Sequence, residues 1–264
     1  MSVEVAVIPA AGRGTRMRPA TRVVPKALIT VVDRPAIQYA VEEAARAGAK
    51  EAVVVVDLDT GHLIAQHFKL GGPLEGLEDI RVRPVVQEEP LGLGHAVYEA
   101  AEMVGNRPFF CLLSDNIVRP GNDVLTDMAA GSSDGSVSVM CLRRYGDEFL
   151  DRYGFVIPAS KPDGRYLDLA GAVEKPGVGN APSNLGLVGR YLFTPEVFSI
   201  LGKTEAGYGG EIQLTDAINE LGERGALRGF IAEEELLDTG TPQGLLQASH
   251  VLGSHQFGED VFKS

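Results

Sequence analysis

The stretch VEVAVIPAAGRGTRMRPATRVVPKAL, residues 3–28, decides the fold. Its opening residues are mostly β-branched or small and apolar, and they run into Pro9 and Gly12. A short apolar run bounded by turn formers reads as a buried strand that feeds a loop. The loop carries Arg13, Arg16, Arg18, Arg22 and Lys26, and no acidic residue stands between Pro9 and Val32. The chain of 264 residues has a formal net charge of −12. An acidic protein that gathers positive charge in one glycine- and proline-rich loop needs a local reason for it.

A phosphate-binding loop is one such reason. The P-loop pattern G-x-x-x-x-G-K-[ST] fails here, because GRGTRMRP contains no Gly-Lys pair. The dinucleotide pattern G-x-G-x-x-G fails too. Gly12 and Gly14 fit its first two positions, but Met17 stands at the third, and Pro19 and Pro25 forbid an immediate helix. What remains is a long irregular loop beyond the carboxyl end of a strand, where ligands of open α/β sheets bind. Its glycines let backbone N–H groups approach a ligand closely. The competing reading is a solvated loop whose charges pair with the protein's many carboxylates.

Outward from this loop, strand and helix alternate. In residues 32–48, VDRPAIQYAVEEAARAG, Asp33 is placed to N-cap a helix, Pro35 suits its first turn, and Gly48 closes it. AVVVVD (52–57), IRVRPVVQ (80–87) and FFCLLSD (109–115) read as strands, the last of them central. Thr60 opens a short helix ending near Phe68, and residues 93–105 are helical. This order predicts a parallel sheet with helices on both faces. Residues 136–144, 153–159, 166–175 and 184–193 then read as strands without long helices between them. A helix at about 211–224, a strand at about 227–232 and a helix from about 242 follow. The expected fold is α/β and Rossmann-like, with a mixed, mainly parallel sheet and an added antiparallel, substrate-facing layer. One domain spans 1–264; the resemblance to a known family given below implies a nucleotide-binding half at about 1–135 and a sugar-binding half at about 136–264.

Bulk composition is that of an ordinary globular protein, with 44% hydrophobic and 23% charged residues. A pI near 4.9 argues against general nucleic-acid or anionic-membrane binding. The two cysteines, Cys111 and Cys141, sit in apolar runs and read as buried reduced thiols. No stretch approaches the ~18 apolar residues of a membrane span, and Glu4 interrupts any secretory signal. The expectation is a cytoplasmic protein without a membrane or nucleic-acid partner.

Asp115 and Asp238 follow apolar runs and precede turns, where they are candidates for Mg²⁺, an ion held by one or two carboxylates plus substrate phosphates. Each is equally readable as a cap or turn former. Glu174 can accept hydrogen bonds from sugar hydroxyls, and Lys175 can hold a phosphate. Gln87 stands before the glycine-rich turn of QEEPLGLGHA, and its amide offers a donor and an acceptor to a pyrimidine edge. His95 reads as helix packing.

Taken together, IPAAGRGTRMRPATRVVPKAL (8–28), QEEPLGLGHAV (87–97), LLSDNIV (112–118), VEKPGVGNAPSNLGLVGRYLFTPEVF (173–198) and GGEIQLTDAI (209–218) resemble the sugar-1-phosphate nucleotidylyltransferases. Within them the chain is most similar to bacterial uridylyltransferases acting on glucose 1-phosphate. The likeness covers most of the chain in the expected order, and it implies the nucleotide-diphospho-sugar transferase fold. It also implies roles. Ala11, Gly12, Gly14 and Thr15 would meet the nucleotide, and Gln87 would read the base with Gly92 beneath it. Arg16 and Lys26 would stabilise the triphosphate, and Asp115 and Asp238 would hold Mg²⁺. Gly154, Glu174 and Lys175 would receive the sugar phosphate. The partners implied are UTP and a sugar 1-phosphate, and the oligomer implied is a dimer or tetramer.

Three departures bear on detail. The segment between Phe68 and Gln87 looks shorter than usual, which leaves subunit contacts open. KALITVVD (26–33) lacks the usual Glu-Met, and LLDTGTP (236–242) looks more like thymidylyltransferases. The last two leave sugar and base choice open, dTTP included. A non-catalytic nucleotide-sugar sensor is the alternative from another class, although Arg16, Lys26, Asp115 and Asp238 are all retained.

Overall fold

In the computed structural model, which describes residues 2–69, 77–132 and 135–262, the first apolar run forms strand β1 (Val5–Pro9). The basic loop ends in a small ribbon of β2 (Thr30–Val31) and β3 (Arg34–Pro35), and helix α1 (Ala36–Arg46) follows. Then come β4 (Glu51–Asp57), α2 (Gly61–His67), β5 (Arg81–Gln87), α3 (Leu93–Glu99), α4 (Ala101–Val104) and β6 (Phe109–Leu112). The remainder is β7 (Asn116–Val118), α5 (Val124–Gly131), β8 (Ser138–Arg144), β9 (Gly154–Pro158), β10 (Tyr166–Glu174), β11 (Leu185–Phe193), α6 (Glu196–Leu201), α7 (Leu214–Glu223), β12 (Leu227–Ile231), β13 (Leu236–Asp238) and α8 (Pro242–Phe257).

One nine-stranded sheet runs in the order β5-β4-β1-β6-β11-β8-β12-β10-β9. From β5 to β6 every pairing is parallel, as the strand–helix alternation predicts. Beyond β6 the pairings are antiparallel except for β8 with β12. The mixed α/β architecture is therefore as expected. The antiparallel strands of the second half extend this sheet, because β11 pairs directly with the free edge of β6, Arg190 opposite Leu112. At the far end β9 bends back to meet β11 at Phe155 and Gly186, which curls the sheet partly closed.

Alternation along the strands builds two cores. Val5, Val7, Val53 and Val55 point to the face covered by α3, α4, α6 and α7. Ala6, Ile8, Ala52 and Val54 point to the face covered by α1, α2 and α5. A third cluster joins α8 to Val31, Tyr39, Ile117 and Leu237. Cys111 and Cys141 are buried free thiols, and burial pushes Cys111 up to about 12.

Two local expectations need correction. Asp33 does not cap α1, whose N-terminal flank is Pro35 without a side-chain cap. Val32 and Asp33 form the turn between β2 and β3, with Val32 at φ 63, and Asp33 bonds Arg34 and Gln256 instead. FFCLLSD is strand only to Leu112, so Asp115 lies in the turn beyond it. The short segment expected between Phe68 and Gln87 falls in part on residues 70–76, which lie outside the described residues. Among the described residues no helix is long and apolar enough to cross a membrane.

Candidate active site

The loop after β1 is shaped by three short 3₁₀ turns, Thr15–Met17, Ala20–Arg22 and Lys26–Leu28. Met17, Thr21 and Ala27 are buried and pin it to the body of the protein. Thr21 donates its hydroxyl to the Gly14 carbonyl at 2.7 Å. Gly14 sits at φ 57, and a Cβ there would stand 2.9 Å from the Lys26 Cβ, so the turn requires glycine. Arg13, Arg16, Arg18 and Arg22 form no ion pair within 4.0 Å among the described residues. The arginines therefore make no direct ion pair with the protein's own carboxylates, although Arg16 still acts on Asp115 through space. Lys26 alone finds a carboxylate, with Nζ 2.5 Å from Asp115 Oδ2.

Asp115 owes its place to two structures that sequence reading did not anticipate. The first is a buried arginine. Arg190 of β11 is fully buried, and its guanidinium grips Glu43 of α1 from Nε at 3.0 Å and Nη2 at 2.8 Å. The remaining N–H groups donate to the carbonyls of Leu113 at 3.0 Å and Asn116 at 2.5 Å. Those carbonyls bracket Asp115. The second is the β7–β13 ribbon, in which Asp238 lies opposite Asn116. Thr239 adds bonds from its N–H at 2.7 Å and its hydroxyl at 2.8 Å to the Asp115 carbonyl. Two carboxylates far apart in the chain are thus set side by side.

Gly240 measures how tightly the charged groups converge. A Cβ built on it would stand 2.7 Å from Asp115 Oδ2, 2.9 Å from Asp238 Oδ1 and 3.0 Å from Arg16 Nη2. The space is open only because this residue has no side chain. Asp238 also accepts the Gly240 N–H at 2.8 Å and the Tyr153 hydroxyl at 2.8 Å, with Arg152 3.6 Å away. Burial pushes the Asp115 carboxyl up, but Lys26, aided by Arg16, outweighs it and holds the group below its usual range. Burial, reinforced by the Asp238 charge, pushes the Tyr153 phenol up, so it remains a donor.

These residues border a cavity of about 630 Å³ that draws on both halves of the chain. Ala11, Gly12, Gly14, Thr15, Arg16, Lys26, Gln87, Gly92, Asp115 and Lys175 all line it. Asp238 and Tyr153 line an adjoining cavity of about 390 Å³. Arg13, Arg18 and Arg22 flank a third, of about 340 Å³, that shares Gly12 and Gln87 with the large one.

Gly154, Glu174 and Lys175 lie next to one another, and of the three only Lys175 lines the cavity of about 630 Å³. Glu174 pairs across the β9–β10 hairpin with Gly154. A Cβ on Gly154 would lie 3.1 Å from Glu174 Oε2, so a larger residue there would crowd that carboxylate. Lys175 Nζ is 3.1 Å from Glu174 Oε1, and its backbone takes φ 44, a conformation costly for a residue with a side chain. The 209–218 motif docks on the 87–97 motif, with Ile212 N–H donating to the Leu91 carbonyl at 2.7 Å and Gly94 N–H to the Ile212 carbonyl at 2.9 Å.

The donor set suits a hard divalent ion in part. Asp115 and Asp238 present oxygens around one glycine-sized space, as Mg²⁺ prefers. Among the described residues there is no group of three or more His, Cys, Asp or Glu side chains, so further ligands would come from water or phosphate. Arg190 was legible as an anomaly, a lone charge inside the apolar run NLGLVGRYLF. Gly240 and Tyr153 gave no comparable signal.

The chain belongs to the nucleotidyl transferase family, whose model, described as Nucleotidyl transferase, matches residues 5–254. The UTP–glucose-1-phosphate uridylyltransferase of Bacillus subtilis (strain 168) is 37% identical over 261 residues, covering 92% of this chain and 89% of the relative. A UDP-glucose pyrophosphorylase solved in complex with UDP-glucose superposes with a TM-score of 0.87 at 30% identity, covering 96% of this chain and 99% of the other. A UTP-bound enzyme of the same kind from Acinetobacter baumannii gives 0.84 at 34% identity, with 99% and 97% covered.

Proposed function

We propose that the protein transfers the uridylyl group of UTP to glucose 1-phosphate, giving UDP-glucose and pyrophosphate. The convergence of Arg16, Lys26, Asp115 and Asp238 at one rim of the sheet carries this reading. The names of the relatives point to the same substrates. In this reading an oxygen of the sugar phosphate attacks the α-phosphorus of UTP in line. The bond to the β-phosphate bridging oxygen breaks, and pyrophosphate leaves with its electron pair. No general base is needed, because the attacking oxygen is already ionised.

The chain's own work is positioning and charge stabilisation. The backbone of Ala11, Gly12, Gly14 and Thr15 takes the nucleotide, and Gln87 reads its base over Gly92. Arg16 and Lys26 meet the triphosphate oxygens and steady the departing pyrophosphate. Gly154, Glu174 and Lys175 hold the sugar phosphate. Asp115 and Asp238 are the residues for Mg²⁺, which when bound neutralises phosphate charge. On this view residues 1–135 form the nucleotide half and 136–264 the sugar half, in a cytoplasmic homo-oligomer.

LLDTGTP favours a second reading with dTTP in place of UTP. Uracil and thymine differ by one methyl, worth ~1–3 kcal/mol in a pocket. Comparing kcat/KM for the two nucleotides separates the readings. Lys26→Ala is expected to lower kcat by ~10²–10³-fold, the scale of one transition-state stabiliser. Pyrophosphate release at the wild-type rate in that variant would remove Lys26 from the chemistry.

A further inference from the structure

We propose that His95 and Glu99 are positioning residues that fix the Gln87 amide as a hydrogen-bond acceptor toward the base, and so select uracil against cytosine. The inference rests on the reading that Gln87 meets the base. Gln87 closes β5 and is buried, yet it lines the large cavity. Its amide nitrogen is 3.1 Å from the Gly92 carbonyl. A carbonyl only accepts, so the NH₂ end of the amide must lie on that side. The same nitrogen is 3.0 Å from His95 Nδ1.

The far side of the imidazole settles its tautomer. His95 Nε2 lies 3.0 Å from Glu99 Oε1, one helical turn along α3. An ionised carboxylate only accepts, so Nε2 carries the hydrogen and Nδ1 presents a lone pair. Both amide hydrogens of Gln87 are then used, one on Gly92 and one on His95. Its amide oxygen takes no hydrogen bond from any described residue.

A free glutamine reads either pyrimidine by turning over, because its amide offers donor and acceptor at nearly equal size. Held as described, it offers only an oxygen. Uracil and thymine present an N3–H donor to that oxygen. Cytosine presents a lone pair at N3, which an oxygen repels. A site built to accept a substrate N–H rejects an analogue that lacks it, because its own buried group is left unpaired. The chain Glu99–His95–Gln87 thus turns an ambivalent side chain into a one-way reader. It leaves the methyl of thymine unread.

Glu99→Gln tests this without touching the cavity. The amide that replaces the carboxylate can donate to Nε2, which frees the imidazole to present Nδ1–H and sets it against the Gly92 carbonyl in holding the Gln87 amide. With glucose 1-phosphate as co-substrate, kcat/KM for UTP and for CTP is measured in the wild type, Glu99→Gln, His95→Phe and His95→Asn. The UTP-to-CTP ratio should fall about 10- to 100-fold in His95→Phe and in the same direction in Glu99→Gln, the scale of one or two hydrogen bonds. His95→Asn keeps an acceptor near the Nδ1 position and should restore most of the ratio. A preference for UTP that survives unchanged in Glu99→Gln and in folded His95→Phe overturns the relay. A wild type that turns over CTP as well as UTP overturns the base assignment itself.

Discussion

At the scale of single residues, the site is defined as much by missing side chains as by charged ones. Gly240 stands between Asp115, Asp238 and Arg16, and a Cβ there would force those charged side-chain ends to move. Gly240→Ala should therefore abolish most turnover while the thermal melt stays close to wild type, since the residue lies in a turn bordering the site rather than in the apolar cores. A variant that keeps wild-type kcat refutes the crowding. Lys26 has a second role, holding the buried Asp115 carboxyl below its ordinary value of 3.8. A group depressed in this way stabilises the fold above its unfolded-state pKa, and the contribution disappears as pH falls through the folded-state value. Lys26→Met removes the strongest lowering influence on Asp115 and leaves burial, which raises the group, opposed only by a backbone hydrogen bond and the more distant Arg16. The midpoint of acid unfolding, followed by circular dichroism, should move to higher pH. An unchanged or lower midpoint counts against the pairing.

At the scale of elements, the decisive unit is the turn between β6 and β7, held from behind by Arg190 and from the side by β13. The Arg190–Glu43 pair is buried, so its two halves depend on each other. Arg190→Met leaves Glu43 charged and unpartnered and should cost about 3–5 kcal/mol in denaturant unfolding. Adding Glu43→Leu removes the orphaned charge and should recover much of that loss. Activity should stay low in the double variant, because the carbonyls of Leu113 and Asn116 are no longer held around Asp115. Full recovery of both stability and kcat would make the pair purely structural.

At the scale of the whole molecule, one cavity takes residues from the loop after β1, from β5 and from the end of β10. A ligand that bridges these parts stabilises them together. UTP at 100-fold over its Kd should raise the unfolding free energy by about 2.7 kcal/mol, read as a higher melting temperature. Arg16→Ala should lose most of that shift, and an equal shift in the variant would place the nucleotide elsewhere.

Much of this was legible in the sequence for physical reasons. Strand-forming runs such as AVVVVD are local, and their alternation with helices allows few sheet topologies. The basic loop read as a candidate phosphate site, because its charges had no acidic neighbours in the chain. The residues of the site were legible as types at turns. The roles proposed for them came from the family likeness.

The tertiary structure alone decided which of them meet. Asp115 and Asp238 are neighbours only because β7 and β13 pair across the fold. Pairing between distant strands depends on the free edges and faces that remain once the sheet has formed, and no local propensity encodes it. His95 was read as packing because a helix face cannot reveal what lies opposite. Its bond to Gln87 exists only when β5 and α3 are brought together. What the chain determined by itself was its elements and their chemistry. Their convergence at one rim of the sheet followed from long-range contacts that stabilise the fold as a whole.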